Sequence, residues 1–432
     1  MSLTNALFSS VSGLDTASTA ISIIGDNIAN ANTPGFKEKR AEFSAVLGQS
    51  ITAGSGFAQI GAGARTNNVG TIFSQGTFEG TARGTDLGIE GRGFFVLESG
   101  AGRSYSRAGL FGFDSAGTLV DALGNRVQGY GVDPATGATN NSLGDIVLTM
   151  GLSAPRATTT LNLAMNLDAN EPVPAAFDPA DTQNTSNARE VITIFDSLGS
   201  PREATVFFRK ASPNNWEYHV TLADTDAGAP TGDPFVVQAS GTLQFDAAGN
   251  LTGIDGGTAD PTVTFNLNNA NGAQAAQPVT FSMGNLGPLS TGPVSTQYRT
   301  STVTNSVSQD GFAPGALTAL EFDQDGLMNA VFSNGVTSTL AQVALANFGN
   351  VEGLTNIGAS QVIQSVESGP PVIAGANSGS LGSIRSNALE NSNVDLAQQF
   401  VKLIVSQRAF QANTRTVSVA NELLANLVSL GQ

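Results

Sequence analysis

Cysteine is absent from this chain, which excludes disulfides, thiolate nucleophiles and sulfur-ligated metals. Histidine occurs once, at His219, so a histidine triad or metal cluster would have to be built around one residue. Lys and Arg number 19 against 35 Asp and Glu, a formal charge of −16. Phosphate contact needs clustered cations, so no nucleic acid is expected as a partner. The first basic side chain is Lys37, and a secretory leader would carry one far earlier. No run approaches ~18 consecutive apolar residues, so no membrane insertion is expected.

What remains is not a disordered chain. Hydrophobic residues make up 40% of 432, too many for a disordered chain, and the length allows two or three domains. Fifty glycines fit many turns between short strands. The acid excess is local: 16 acidic against five basic side chains from Asp133 to Asp260, but three against three from Glu390 onward. The middle is solvated, and the ends are ready to pack.

Both ends carry a seven-residue apolar repeat. Leu7, Leu14, Ile21 and Ile28 recur near the start, with Val11 and Ile24 beside them; Leu403, Phe410, Val417 and Leu424 recur near the end, flanked by Phe400 and Val428. Such a repeat puts a narrow stripe along a helix that needs a partner helix. The two stripes can pair within one subunit, with neighbouring copies, or both. Gln407, Thr414 and Asn421 occupy the adjacent heptad position as candidate register-fixing polar groups. The first helix is stopped by Asn32-Thr33-Pro34-Gly35, and Ser392, three residues before Asp395, suits a capping box opening the second.

Between the helices the period becomes two. Trp216, Tyr218, Val220 and Leu222 alternate with Glu217, His219 and Thr221, which predicts a half-buried strand with a solvated His219. Thr205–Lys210 precedes it, and Ser212-Pro213-Asn214-Asn215 predicts the turn. Phe-Asp-x-x-Gly recurs four times, beginning at Phe113, Phe195, Phe245 and Phe322: an inward Phe, an Asp that bonds turn backbone, and a Gly at positive φ. Asp323-Gln324-Asp325-Gly326 imitates a calcium loop, but positions six and twelve are Met328 and Asn334, so a hairpin turn is the reading. Gly91-Arg92-Gly93 runs straight into Phe94-Phe95-Val96-Leu97, a turn before a core strand rather than a phosphate loop. No catalytic, metal or cofactor site is expected.

Three ordered blocks then carry a resemblance. Ser12-Gly13-Leu14-Asp15 through Asn27, Asn30, Asn32, Thr33, Pro34, Gly35, Phe36 and Lys37 closely resembles the N-terminal motif of the bacterial flagellar rod and hook axial family. Phe73–Phe78, Thr85–Leu87 and Gly91–Val96 resemble a second block of that family, and Asn391–Asp395 with Ser406–Asn413 a third. Leu161–Asp168 is similar to the entry into the outer domain of the hook branch, interrupted at Ala164-Met165. The length and acidic β insertion favour that branch over the shorter rod proteins.

The resemblance implies a multidomain, mainly β fold with terminal α-helices pairing in a coiled-coil-like domain. Its expected division is 1–32 with 391–432 as helical polymerisation domain and 33–70 with 349–390 as extended Gly-rich connectors. Residues 71–150 with 290–348 would be an inner β domain, and 151–289 an outer acidic one. Glycines 54, 56, 61, 63, 369, 375, 379 and 382 would give the connectors slack. The implied role is a structural subunit, not an enzyme, that self-assembles into a curved tube joining rod to filament and transmitting torque. Implied partners are further copies, distal rod and hook-filament junction proteins, a hook cap and the flagellar type III export apparatus, with export lacking a cleaved signal. The alternatives are a distal rod-type subunit and, from another class, a secreted β-rich adhesin with a coiled-coil stem.

Overall fold

A computed structural model of the chain describes residues 3–47, 50–53, 56–59, 61–133, 137–148, 151–284 and 293–430. It divides into two compact units: Met1–Thr149 with Thr318–Val331 and Thr337–Gln432, and Met150–Leu317 with Phe332–Val336. Both are built mainly from strands, and the first also carries α1 (Leu3–Ala29) and α3 (Leu396–Leu430). A one-turn helix, α2 (Thr182–Thr185), lies in the second. The expected border at 289–290 lies outside the described residues, as does Gly54.

In the second unit five strands form an antiparallel meander: Ala188–Phe195, Pro201–Ser212, Asn215–Ala223, Phe235–Phe245 and Leu251–Ile254. The alternation read at Trp216–Leu222 is its core face, and these four side chains are at most 1% exposed. Asn214 takes φ 62° to close the expected turn. A second sheet places Thr160–Asn166 parallel to Ala276–Ser282 and antiparallel to Val303–Gln309. Leu161, Leu163, Met165 and Leu167 from this sheet join Ile192, Val206, Phe208 and Trp216 from the meander in one core. Each such side chain contributes about 1.5–3 kcal/mol by leaving water. Opposite Ala164-Met165 the partner strand carries a β-bulge: Ala164 faces Ser306 but Met165 faces Thr304, which leaves Asn305 as the extra residue.

The Phe-Asp-x-x-Gly motif folds the same way all four times. Each carboxylate accepts from the amides two and four residues on: Ala116 and Thr118 to Asp114, Leu198 and Ser200 to Asp196, Ala248 and Asn250 to Asp246, Asp325 and Leu327 to Asp323. The glycines sit at φ 80°, 79°, 84° and 75°. Asp121 builds a fifth such turn onto Leu123 and Asn125, with Gly124 at φ 82°, and no Phe announced it.

In the first unit the strand Phe94–Ser99 is buried on both faces, as its unbroken apolar run requires. Phe95 and Leu97 enter a core with Leu87, Ile89, Phe111, Val127, Met328 and Val343. Phe94 and Val96 enter another with Tyr105, Ala344, Phe348 and Val362. The stretch 33–70 is not a simple extended strap. Lys39–Ala45 pairs with Ala64–Thr71, and Ser50–Ala53 with Gly56–Gln59, so the chain doubles back along α1. The stretch 349–390 supplies strands to the body of the unit. Ser383–Ser386 pairs with Leu87–Glu90, Ala388–Glu390 with Phe78–Gly80, and Leu381 and Ile384 are core residues. Small residues read as slack because they lack side-chain pattern, yet backbone pairing needs none. A Cβ added at Gly63, Gly375 or Gly382 would collide with Ser12, Gln342 or Glu90, so these glycines mark close packing rather than hinges.

His219 is a correction to the sequence reading. Its ring stacks on Phe177 at 4.1 Å, its Nδ1 lies 2.7 Å from Ser240 Oγ, and its side chain is only 13% exposed. The segment 175–177 covers the strand face that periodicity assigned to water. Burial pushes the imidazole below its ordinary range, and Glu217, with a carboxylate oxygen 3.7 Å from Nε2, offsets this only in part. Protonation therefore favours the unfolded chain. Stability from this group is complete above the unfolded value of ~6.5 and is lost as pH falls below it, while carboxylates titrate mainly below ~4.5. Urea midpoints between pH 7 and pH 5 should fall more steeply for the natural chain than for His219→Gln. Equal slopes would remove His219 from the acid response.

The paired terminal helices as candidate assembly surface

Helices α1 and α3 pack against each other antiparallel. Gly13 lies against Asn413, and 14 residues further along α1, Asn27 Nδ2 is 3.4 Å from Gln399 Oε1, 14 residues back along α3. The seam is narrow and largely small or polar. Ser10, Ala17, Ile24 and Asn27 are buried on α1, and Gln399 and Ala420 on α3, with Ser406 and Asn413 half-buried between them. Small residues let the backbones approach; a side chain at Gly13 would meet the Asn413 amide.

The apolar repeat flanks this seam. Leu7, Leu14, Ile21 and Ile28 are half-buried, as are Leu403 and Val417. Phe400, Phe410 and Leu424 stay 50%, 39% and 37% exposed after the helices have paired. Gln407, Thr414 and Asn421 lie on the exposed side of α3. The polar residues at the intramolecular contact are instead Gln399, Ser406 and Asn413, one heptad position away. Val428 is within α3, and its side chain lies outside the described set.

α3 is capped by Asp395, whose Oδ1 accepts from the amides of Ala397 and Gln398. Ser392 instead accepts from Val394. The helix begins at Leu396, immediately after Asp395, so Asp395 takes the capping position that the sequence pattern gave to Ser392.

Polar side chains at the end of α1 and just after it clasp the helix pair. Asn27 donates to the Lys39 carbonyl at 2.8 Å and accepts from the Lys39 amide at 2.9 Å, a bidentate grip on the first strand. Glu38 receives Gln399 and Lys402 from α3, both at 2.8 Å, and its amide donates to Asn393. Asn393 reaches on to the carbonyls of Ile72 and Ser74. Asn30 caps back onto Asp26 and accepts from Thr33, while Asn32 is exposed and Pro34 half-buried. Phe36 is buried, with Lys39 Nζ 5.7 Å from its ring centre.

Beneath the clasp lies a buried ionic cluster. Glu390, with no side-chain exposure, accepts from Lys37 Nζ at 2.6 Å, Arg107 Nη1 at 3.3 Å and the Gly76 amide at 2.9 Å. Its carbonyl accepts from Gly35 at 2.7 Å. Lys37 also donates to Ser74, and Arg107 to Gly91 and Ile89. Burial pulls the Lys37 ammonium below its ordinary range, against the opposing pull of Glu390; Arg107 is lowered for the same reason. Gly35 has φ 71°, and a Cβ there would collide with the Ala108 backbone, so the motif's glycine admits no side chain. Sequence reasoning placed Lys37 in a motif but missed Glu390 and Arg107. The available signal was a lone carboxylate after apolar Ala388-Leu389.

Among the described residues no group of three His, Asp or Glu side chains could hold a metal. By length and composition alone Asn5–Ala29 could cross a bilayer; its inner face is taken by α3. The arrangement can hold, align and associate. Removing the central charge should be costly: Glu390→Ala leaves Lys37 and Arg107 uncompensated and should destabilise the first unit by about 3–5 kcal/mol. Chemical denaturation followed by circular dichroism checks this. A loss under ~1 kcal/mol would mean that the cluster is not holding these segments.

Comparison with known proteins gives a consistent result along the chain. Residues 7–37 match a family of flagella basal body rod proteins, and 88–164 the flagellar hook protein FlgE/F/G D1 domain. Residues 166–312 match the flagellar basal body protein FlaE D2 domain, and 385–430 the C-terminal region of the flagellar basal body rod FlgEFG proteins. The chain is 33% identical over 456 residues to flagellar hook protein FlgE of Borreliella burgdorferi, covering 98% of this chain and 99% of that one. It is 34% identical over 429 residues to FlgE of Salmonella typhimurium, covering 97% and 98%. A crystal structure of Helicobacter pylori flagellar hook protein FlgE2 superposes with a TM-score of 0.51 at 14% identity, over 72% of this chain and all of that one, a likeness of fold.

Proposed function

Because this chain belongs to the flagellar hook protein family, we propose that it performs the hook's mechanical work through its terminal helices, as a subunit that closes their remaining apolar surface by polymerising. It is a structural subunit of the bacterial flagellar hook. The observation that carries the mechanism is the exposure left on Phe400, Phe410 and Leu424 after α1 and α3 have already paired. A soluble monomer has little reason to keep two phenylalanines and a leucine this exposed along one helix. A helical polymer of identical chains supplies the covering surface.

On this reading residues 1–32 and 391–432 form the polymerising layer, the β units the outer layers, and the assembled tube bends while passing torque from rod to filament. The ribbon at 39–71 would lie beside neighbouring copies rather than act as a loose strap. Distal rod and junction proteins, a cap and the type III export apparatus are its expected partners, with export independent of a cleaved signal and no membrane insertion. The acidic second unit supports a solvated outer position, since its 15 acidic side chains meet only six basic ones.

The test is assembly. Phe410→Asp should leave the monomer folded with a modest fall in its thermal midpoint, because the side chain is 39% exposed there and partly covered. Burial on assembly contributes about 1.5–3 kcal/mol, so the critical concentration should rise roughly tenfold or more. Electron micrographs of the natural chain should display short curved tubes, and those of the variant none at the same concentration. Straight rods from the natural chain would move it to the rod class, and unimpaired assembly of Phe410→Asp would take Phe410 out of the interface.

A further inference from the structure

Each terminal helix has a second stripe, facing away from its partner. On α1 the exposed positions from Phe8 onward are Phe8, Val11, Asp15, Ser18, Ser22, Gly25 and Ala29, a heptad pattern in steps of three and four. On α3 an exposed stripe of the same spacing is Val401, Val405, Arg408, Ala412, Arg415 and Val419. Phe8 is 67% exposed, Val401 62% and Val405 61%, among the most exposed large apolar side chains of the described residues. These stripes are continuous, and the intramolecular seam leaves them open.

Charge selects what can cover them. Within its bounds α1 has Asp15 and Asp26 and no Lys or Arg; α3 has Lys402, Arg408 and Arg415 against Glu422. Asp26 is paired with Lys39 and Lys402 with Glu38. Asp15, Arg408 and Arg415 make no ion pair among the described residues. Two α3 stripes face to face would set Arg against Arg, and two α1 stripes Asp against Asp. Only α1 against α3 joins opposite charges. Such a contact uses two different surfaces, so it propagates into a ring or helix instead of closing as a symmetric dimer.

Size agrees with charge. In the subunit Gly13 lies level with Asn413 and Asn27 with Gln399. If a neighbouring α1 lies antiparallel at the same level, Asp15 falls opposite the interval between Arg408 and Arg415, within about one helical turn of each. Ser18, Ser22 and Gly25 then fall along Arg408, Val405 and Val401, small side chains facing large ones. Phe8 and Val11 meet Val419 and Arg415. The outward face of Gly25 is open, with nothing within 4 Å of an added Cβ.

We propose that the outer stripe of α1 docks on the outer stripe of α3 of a second copy of this chain, with Asp15 seated between the partner's Arg408 and Arg415. The contact rests on the polymerisation reading above and deepens it: it names which two helix faces meet between copies and gives the contact its direction. It is separate from the half-exposed Phe410 face.

The experiment is a charge exchange read by the critical concentration of the full chain. Asp15→Arg alone, and Arg408→Asp with Arg415→Asp alone, should each raise it about tenfold, because each sets like charges across the contact. All three together should return it to within about threefold of the natural chain. Circular dichroism melts should be unchanged in every variant, since all three positions are exposed. Unchanged assembly by Asp15→Arg, or failure of the triple exchange to restore what the single changes lost, would overturn the docking while leaving the polymer intact. A natural chain that forms no polymer at any concentration would sink the polymerisation reading and this contact with it.

Discussion

The first unit depends on one buried carboxylate. Glu390 has no exposure, and an isolated buried charge costs several kcal/mol unless it is paired and hydrogen-bonded. Here its oxygens collect Lys37, Arg107 and Gly76, and its carbonyl collects Gly35. Those donors come from the turn after α1, the loop before the Phe78 strand and the segment after the Tyr105 strand. The acceptor ends the last strand, five residues before the cap of α3. One side chain thus ties the two helix-bearing ends to the same β body. Burying two cations and one anion is costly, and here the cost is offset by their mutual pairing and by hydrogen bonds to Gly76, Ser74, Ile89 and Gly91.

Above the knot, the helices combine strong attachment with weak closure. Their seam is built from Ser10, Gly13, Ala17, Asn413 and Ala420, which permit close approach but bury little apolar area. Asn27, Glu38, Gln399 and Asn393 fix level and register through hydrogen bonds near one end. Larger apolar side chains are left at the flanks and on the outer faces. Helices in folded proteins draw most of their stability from tertiary cover of an apolar face. A pair held in register, with apolar surface unspent, is suited to gain its remaining cover from copies of itself.

The β units rely on a local device repeated at different places. Phe-Asp-x-x-Gly folds four times with the same two amide donors, and Asp121 repeats it without the phenylalanine. The device is local because an Asp reaches amides two and four residues on by covalent geometry alone, and the glycine supplies the positive φ that closes the turn. Strands of low sequence pattern in 349–390 instead pair by backbone with distant partners, Ser383–Ser386 with Leu87–Glu90 and Ala388–Glu390 with Phe78–Gly80. Contacts at Gly63, Gly375 and Gly382 then turn small residues into points of close packing.

The sequence by itself determined the helical ends, the period-two middle, the four turns and the family. All of these are written in spacing between neighbours, where covalent geometry sets which side chains share a face. Tertiary structure decided the rest. Periodicity marked the α1 and α3 stripes but not which side of each becomes the seam, because two adjacent heptad positions differ by one residue and only the partner's shape chooses between them. Gln407, Thr414 and Asn421 were read as the register-fixing set when Gln399, Ser406 and Asn413 lie on the intramolecular side. The strand pattern put His219 on a polar face but could not foresee Phe177 folding over it. Glu390, Arg107 and Lys37 are separated by up to 353 residues. No local pattern links charges so far apart, and the free energy of burying one of them alone is what forces them together.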